Sequence, residues 1–203
     1  MNLILIFYVI IIIMSVVIHE VSHGYMANLL GDPTAKLSGR LTLNPLAHLD
    51  LMGSVIVPAF LVLMGLPVIG WAKPVPYNPY NLRAGKWGPA YVALAGPASN
   101  LIVALFFSLI IRLNFIYAFA PSVFIQFITL IVAVNIILAV FNLIPVPPLD
   151  GSKVLFAALP YRKRQIEIWL ERYSLVFILL VIFFAGNVLL YLQSFLVRLF
   201  IGG

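Results

Sequence analysis

Three ionisable side chains lie together at the end of an otherwise aliphatic run near the start of the sequence. The stretch is HEVSH, residues 19–23, and the residues from Leu3 to Ile18 are almost all apolar. On a helix, His19 and His23 are four positions apart and share a face, so their imidazole nitrogens can bind one metal ion. Glu20 lies one position round the helix, close enough to take a proton from water at that ion without being a ligand. The spacing therefore predicts a hydrolytic zinc site with Glu20 as its general base.

The composition indicates that this motif belongs to a membrane protein. Of the residues, 64% are hydrophobic and only 9% are charged, against about 25% charged in an average soluble domain. Polar groups inside a bilayer are costly, so a bound cation explains the motif better than two buried histidines and an unrelated glutamate. The net charge of +6 is typical of the cytoplasmic loops of a membrane protein, which argues against a nucleic-acid partner. There is no cysteine, so thiolate ligands and disulfides are excluded.

Four apolar segments are long enough to cross a bilayer, which takes about 20 residues of helix. They run from Asn2 to about Leu30, from Pro89 to about Leu113, from Pro121 to about Ile144 and from Ser174 to about Phe200. The sequence therefore predicts an all-α membrane protein, a helical bundle of about four full spans. We expect one integral-membrane domain over residues 1–203, with a core at about 1–159 and a C-terminal helix at about 174–200.

A fifth apolar stretch, from Leu51 to Trp71, is interrupted by two prolines and three glycines, which disfavour a straight helix. If it turns back as a re-entrant or broken membrane segment, with the N-terminus outside, ten of the twelve Lys and Arg residues lie inside. If it crosses once, four lie inside and eight outside. Because cytoplasmic loops are enriched in Lys and Arg, the charges favour the re-entrant arrangement in a multi-pass protein of the cell membrane.

A catalytic zinc needs a third protein ligand and an open position. The candidates beyond the motif are His48, Asp50 and Asp150, and Asp150 is the strongest. It follows three prolines that break the preceding helix, and irregular backbone at membrane depth lines a cavity or is buried in protein. In the re-entrant arrangement Asp150 also arrives at the same side and depth as the two histidines. The alternative role for Asp150 is the N-cap of the helix that follows it.

The length of the first helix sets the depth of the site. The residues before His19 make roughly 25 Å of helix at about 1.5 Å per residue, and the hydrocarbon layer is about 30 Å thick. We therefore expect the metal within the membrane, a few ångströms from its cytoplasmic edge.

A short strand is predicted between the first helix and the re-entrant stretch. Residues 37–43 alternate apolar and polar side chains with a period of two. The pattern predicts a strand or β-hairpin near the active site, whose free edge would bind an unwound, extended substrate.

Three motifs follow one another in the chain. They are HEVSH with Gly24 directly after it, GPASN at residues 96–100 and NLIPVPPLDG at residues 142–151. Together they resemble the site-2 protease family of intramembrane zinc metalloproteases, over about two thirds of the chain. The resemblance is to the small bacterial branch that has neither a PDZ domain nor a nucleotide-sensing domain.

The resemblance implies that His19, His23 and Asp150 bind one zinc ion per chain and that Glu20 is the base. Asn142 matches the family asparagine eight residues before the aspartate, which implies substrate binding near the metal and a hydrogen bond to the developing oxyanion. The alternative role for Asn142 is an interhelical hydrogen bond.

Other polar residues match the family less closely. Asn100 matches the last position of the GPxxN motif, where a role in helix packing and a role in substrate binding are both open. His48 and Asp50 lie in a segment that resembles NPxxHxD, although family members often have proline where Leu51 stands. His48 would then fill the open position at zinc or bind substrate, and a plain interfacial histidine is the alternative.

Taken together, these features predict an intramembrane zinc endopeptidase that cuts in or beside the transmembrane segment of another membrane protein, near the cytoplasmic face. Its partners would be that transmembrane substrate and the lipid bilayer. One alternative is a membrane metal-binding or transport protein, for which we would expect more polar residues at midplane depth or paired broken helices. The other is a proteolytically inert family member, which usually lacks the base, whereas Glu20 is present.

Overall fold

The computed structural model describes residues 3–65, 70–113 and 121–202, and all regular secondary structure in these ranges is helical. The elements in chain order are α1 (Leu3–Leu29), α2 (Thr34–Leu37), a 3-10 turn (Pro45–His48), a π-helical turn (Leu51–Ile56), α3 (Val57–Leu63), 3-10 turns (Pro79–Asn81 and Gly85–Trp87), α4 (Gly88–Arg112), α5 (Ser122–Asn142), α6 (Gly151–Ala158), a 3-10 turn (Tyr161–Lys163), α7 (Arg164–Arg172), α8 (Ser174–Leu180), a π-helical turn (Val181–Ala185) and α9 (Gly186–Ile201).

Four helical stretches have the length and hydropathy to cross a membrane, as the sequence predicts. They are Ile4–Leu29, Gly85–Arg112, Ser122–Asn142 and Ser174–Ile201. These stretches are helical because a helix satisfies its backbone hydrogen bonds internally, which apolar surroundings require. The prediction of an all-helical protein with four membrane-length helices is thus confirmed.

Helix α4 is the centre of the bundle, and it contacts α1, α5, α6 and α9. It carries small residues on its buried faces, such as Ala93, Gly96 and Ala104, which let neighbouring helices approach closely. Ala104 packs in one cluster with Val132 and Ile136 of α5. This close packing brings α1, α4 and the end of α5 to one place, which is where the candidate ligands lie.

The apolar stretch from Leu51 to Trp71 turns back on itself. Its helical part ends at Leu63, and its residues 66–69 lie outside the described ranges. The Trp71 N–H donates to the Gly53 carbonyl at 3.1 Å, and the Lys73 N–H donates to the His48 carbonyl at 2.9 Å. Entry and exit of this stretch are therefore side by side at one end of the bundle, which is the geometry of a re-entrant segment.

The strand or hairpin expected over residues 37–43 is not confirmed. Leu37 is the last residue of α2, and within the described ranges no segment forms a strand. Two local features explain the difference. Asp32 accepts hydrogen bonds from the Thr34 N–H and hydroxyl, which start α2, and Gly39 adopts a left-handed φ of 66° that interrupts an extended run. Alternation of side chains alone does not make a strand without a neighbouring strand to pair with.

Candidate metal centre

Asp150, distant in sequence, meets His19 and His23 in the C-terminal half of α1. The Nε2 atoms of His19 and His23 lie 3.0 Å and 3.4 Å from Oδ2 of Asp150. The potential ligand atoms of all three residues lie within 4.8 Å of one another. Both histidines are buried, and Asp150 is partly buried. The structure thus brings together the three residues that the sequence indicates as ligands.

The hydrogen bonds of the two imidazole rings fix which nitrogen faces the cluster. His19 Nδ1 lies 2.6 Å from Oδ1 of Asn100, and His23 Nδ1 lies 2.7 Å from the carbonyl oxygen of Val92. Both partners are acceptors, so each Nδ1 bears the proton and donates it. In the neutral rings, each Nε2 then presents a lone pair to the cluster. Hydrogen bonds of this kind are how proteins orient metal-binding histidines.

This arrangement of lone pairs fits a bound cation. Oδ2 of Asp150 is buried and has no hydrogen-bond partner, although Nε2 of His19 is only 3.0 Å away. Two lone-pair atoms at that distance repel unless a positive charge lies between them. Ligand atoms around a tetrahedral zinc with bonds of about 2.1 Å are roughly 3.4 Å apart, and the two observed distances of 3.0 Å and 3.4 Å lie close to this value. Two imidazoles and one carboxylate are also a donor set that zinc accepts.

The proline-rich break after α5 positions Asp150 next to His19 and His23. The chain leaves α5 at Asn142, and its Pro147–Pro148 bond is cis. Gly151 lies directly against the backbone of Leu143, so that the turn closes tightly before α6 begins. Asp150 precedes α6, but its side chain makes no capping hydrogen bond. The carboxylate therefore faces the histidines and does not serve as the N-cap that was the alternative role.

Glu20 is tied to the returning end of the re-entrant segment. Its Oε2 accepts a hydrogen bond of 2.9 Å from the Val75 N–H. No hydrogen bond from the described residues reaches Oε1, so this oxygen is the one left to accept a proton. Residues 70–78 form no regular secondary structure, and the Val75 N–H is where they contact the predicted base.

A buried amide network extends from His19 into the bundle. Asn100 accepts from His19 Nδ1 and donates through Nδ2 to Oδ1 of Asn135 at 2.8 Å. Asn135 in turn donates to the Ser15 hydroxyl at 3.0 Å and to the Ile131 carbonyl at 2.9 Å. Asn100 and Asn135 are fully buried. Because its Nδ2 is engaged as a donor, Asn100 must turn Oδ1 toward His19.

Asn135 is a residue that the sequence reasoning missed. A single amide in the middle of an apolar span was the available signal, because a polar group there needs a partner or a function. Asn100, for which packing and substrate binding were both open, instead contacts a candidate ligand.

Gly96 is a second residue whose role is visible only in three dimensions. A Cβ built on Gly96 would lie 2.5 Å from Cε1 of His23 and 2.6 Å from Cε1 and Nε2 of His19. The two rings therefore pack directly on the α4 backbone. The absence of a side chain at this position makes room for the cluster.

Three other predicted residues lie outside the ligand cluster. Asn142 donates to the Leu138 carbonyl of its own helix at 2.9 Å. His48 is buried, its Nε2 lies 2.9 Å from the Thr42 carbonyl, and its Nδ1 has no hydrogen-bond partner. Asp50 caps the turn that begins at Leu51 by accepting from the Gly53 N–H at 2.7 Å. The structure thus gives Asp50 a structural contact, and the substrate roles of Asn142 and His48 stay predictions.

Asp32 fastens the end of α1 to the loop that follows the re-entrant segment. It is fully buried and accepts hydrogen bonds from Thr34, from the Asn78 N–H and from the Asn81 amide. Burial raises the pKa of Asp32, but these hydrogen bonds outweigh it and hold the pKa below its usual value. The loop that contacts Glu20 is therefore anchored at Asn78 and Asn81.

Membrane-length helices that bring two histidines, an aspartate and a neighbouring glutamate together define the class of membrane zinc metalloproteases. The sequence profile of Peptidase family M50 matches residues 115–185. "Putative zinc metalloprotease YwhC" of Bacillus subtilis is 36% identical over 190 residues, which cover 90% of this chain and 83% of that protein. The chain therefore belongs to Peptidase family M50, the site-2 protease family.

Two further relatives share one name. "Putative zinc metalloprotease Rip2" of Mycolicibacterium smegmatis is 32% identical over 142 residues, which cover 68% of this chain and 52% of that protein. The protein of the same name in Mycobacterium tuberculosis is 32% identical over 178 residues, which cover 85% of this chain and 64% of that protein. No solved structure gives a significant match. Family and fold together make the chain a multi-pass membrane metalloprotease with zinc as its cofactor.

Proposed function

We propose that this chain is an intramembrane endopeptidase that hydrolyses a peptide bond in or beside the transmembrane segment of a membrane protein. In this proposal residues 1–203 act as one membrane domain, and His19, His23 and Asp150 bind one zinc ion. The observation that carries the proposal is the convergence of three ligand atoms within 4.8 Å, with both Nδ1 protons directed away from them. Glu20, the neighbour of His19 on α1, completes a hydrolytic set.

The chemistry divides between the metal and the chain. Zinc bound there would lower the pKa of a coordinated water to about 7 and polarise the scissile carbonyl. Glu20 takes the proton of the attacking water on Oε1 and later gives it to the leaving amine. The Val75 N–H holds Oε2 of the same carboxylate at 2.9 Å, so the oxygen that exchanges the proton has a fixed direction. Asn142 donates a hydrogen bond to the developing oxyanion or to the substrate backbone.

The remaining polar residues support this set. Asn100 orients His19 by accepting its Nδ1 proton at 2.6 Å. His48, which has a free buried Nδ1, binds the substrate beside the re-entrant segment. These assignments give each polar group near the site a partner or a task, as apolar surroundings require.

The charge distribution supports an orientation in the cell membrane. Ten of the twelve Lys and Arg residues fall on the side that holds the inner end of α1, if the stretch from Leu51 to Trp71 is re-entrant. The side-by-side ends of that stretch support this topology. The site then faces the cytoplasm, and substrates are cut near their cytoplasmic end.

The test compares the wild-type protein with Glu20→Gln in detergent or liposomes, on a reporter that contains a transmembrane segment. Bound zinc is quantified in both proteins. We expect the wild type to cut, and we expect the variant to retain zinc and cut at least about 100-fold more slowly, because a positioned general base contributes roughly 10²–10⁴-fold.

The matched control is Glu167→Gln, which makes the same chemical change on α7. Because Glu167 lines the cavity described in the next subsection, the comparison uses a reporter with uncharged flanks, on which the control should cut at the wild-type rate. If wild type and Glu20→Gln cut equally, the base is assigned wrongly. If both retain zinc and neither cuts any of several reporters, a membrane metal-binding protein describes the chain better. If neither binds zinc, the assignment of His19, His23 and Asp150 is wrong.

A further inference from the structure

A cavity opens beside the metal centre, with a volume of about 630 Å³. One wall is formed by residues between Tyr77 and Pro89, and the other by α6 and the start of α7. Pockets that bind ligands usually have volumes of about 300–1,000 Å³, so this cavity is large enough for several residues of an extended chain.

Both walls continue directly from the metal centre. The first wall begins two residues after Val75, whose N–H contacts Glu20. The second wall begins with Lys153, one turn after Asp150 and hydrogen-bonded to its carbonyl through the backbone N–H at 2.9 Å. Both walls of the cavity are therefore continuous along the chain with segments that contact or supply the candidate metal centre.

The cavity is strongly cationic. Its lining contains Lys86, Lys153, Lys163 and Arg164, against one acidic residue, Glu167. Lys153 is already paired with Glu171 at 3.1 Å. In the part of the chain that the structure describes, Lys86, Lys163 and Arg164 make no ion pair, so their charges are available to a bound molecule.

Aromatic rings line the same cavity and suit a peptide. Tyr77, Tyr80 and Phe156 contribute to the lining. Tyr80 is 95% exposed, so its ring is accessible to a bound peptide. Rings of this kind provide contact area at a small cost in side-chain entropy.

We propose that this cavity binds an acidic segment of the substrate that flanks the transmembrane region on the side of the metal centre. The proposal rests on the proposed function and specifies its substrate class. One helical turn separates Asp150 from Lys153, about 5 Å of rise, and an extended chain advances about 3.3 Å per residue. The cavity wall at Lys153 therefore begins about two extended residues from Asp150, so charges on a substrate flank there would affect its binding.

This preference would act against most membrane proteins. The cytoplasmic flanks of transmembrane helices are enriched in Lys and Arg, which the cationic cavity repels. A substrate with Asp or Glu at that flank is attracted instead. The same charges thus select a minority of substrates and reject the rest, which is how specificity is commonly built.

The test uses three reporters that differ only in four residues on the flank. These four residues are Asp and Glu in the acidic reporter, Ser and Gly in the neutral one, and Lys in the basic one. We expect wild type to cut the acidic reporter about tenfold faster than the neutral one and the basic one most slowly, since a few exposed charge pairs of roughly 0.2–1 kcal/mol combine to about that factor. Added salt should reduce the preference. The double variant Lys163→Glu with Arg164→Glu should reverse the order of the three reporters.

Arg162→Glu is the matched control, because Arg162 belongs to the same basic run but does not line the cavity. It should retain the wild-type order. Equal cleavage of the three reporters by wild type, or an unchanged order in the double variant, overturns the acidic-segment proposal while leaving the proposed function in place. An effect of phosphatidylglycerol in the vesicles without any effect of the flank would also overturn it, in favour of a lipid headgroup site.

A second readout does not depend on cleavage. Labelled peptides with the three flanks are titrated onto the Glu20→Gln protein in detergent. We expect the acidic peptide to bind about tenfold more tightly than the basic one, and equal binding overturns the acidic-segment proposal. Failure of the proposed function would appear separately, as cleavage by Glu20→Gln at the wild-type rate.

Discussion

Replacing Gly96 by alanine should remove zinc from the site without unfolding the protein. The new Cβ would lie 2.5 Å from Cε1 of His23 and 2.6 Å from Cε1 and Nε2 of His19. Carbon atoms at rest are about 3.5–4.0 Å apart, so each ring must move by roughly 1 Å or α4 must retreat. Helix α4 is packed against α1, α5, α6 and α9, so the rings are expected to move and the helix to stay in place.

The size of the effect follows from the tolerance of metal bonds. Zinc–nitrogen distances stay within about 0.2 Å of their ideal value, which is a fraction of the displacement required here. Loss of an outer hydrogen bond to a ligand typically lowers metal affinity about 10–100-fold. A shift of both ligands should therefore lower zinc affinity at least about 100-fold, while overpacking costs about 1–3 kcal/mol of folding free energy.

The assay is a competition between the purified protein in detergent and a chelator of known zinc affinity, combined with thermal unfolding of the metal-free form. Gly186→Ala is the matched control, because its Cβ meets no atom within 4 Å and its position is also helical. The control should bind zinc like wild type and gain about 0.5–1 kcal/mol from the alanine. If Gly96→Ala binds zinc within threefold of wild type, the packing of the two rings on α4 has been misjudged.

Three further changes test other parts of the site. Asn135→Leu leaves the Asn100 amide held only by its longer bond of 3.3 Å to the Ser15 carbonyl, and zinc affinity in the same competition assay should fall about 10–100-fold; unchanged affinity would show that Asn100 is oriented without Asn135. Asn142→Ala should retain zinc but slow reporter cleavage about 100-fold, as loss of an oxyanion donor does, and a wild-type rate would exclude the substrate role. For Asp32 the folded pKa is lowered, so its stabilisation is present above the unfolded pKa of about 3.9 and is lost as pH falls through the folded value. Thermal midpoints in detergent should therefore drop below about pH 4 for wild type, whereas Asp32→Asn should be less stable at pH 7 and respond less to acid; parallel curves would contradict this.

The spans and the convergence of His19, His23 and Asp150 could be predicted from local patterns combined with the order of the spans. Four apolar stretches of sufficient length leave little choice but helices in a bilayer. A spacing of four on a helix puts His19 and His23 on one face wherever that helix packs. Asp150 followed from a proline-rich break combined with the side on which each helix ends.

The parts that could not be predicted depend on packing between distant segments. The alternation over residues 37–43 had no pairing partner; α2 ends at Leu37, and Gly39 adopts a left-handed φ of 66° that interrupts an extended run. The two imidazole rings pack against the backbone at Gly96, and this contact exists only once α1 and α4 are packed together. Asn135 stood out as polar within an apolar span, but only the structure shows that it reaches His19 through Asn100.

The long separation of the ligands along the chain has a consequence for biosynthesis. His19 and His23 leave the ribosome early, but their acceptors at Val92 and Asn100 emerge some seventy to eighty residues later, and Asp150 later still. The newly made α1 therefore enters the membrane with two imidazoles that have neither a hydrogen-bond acceptor nor a complete ligand set. If the three residues bind zinc as proposed, the ligand set is complete only after Asp150 has been translated, and the nascent chain would be inert until most of the bundle has assembled. This delay would protect neighbouring membrane proteins from a half-built hydrolase during its own insertion.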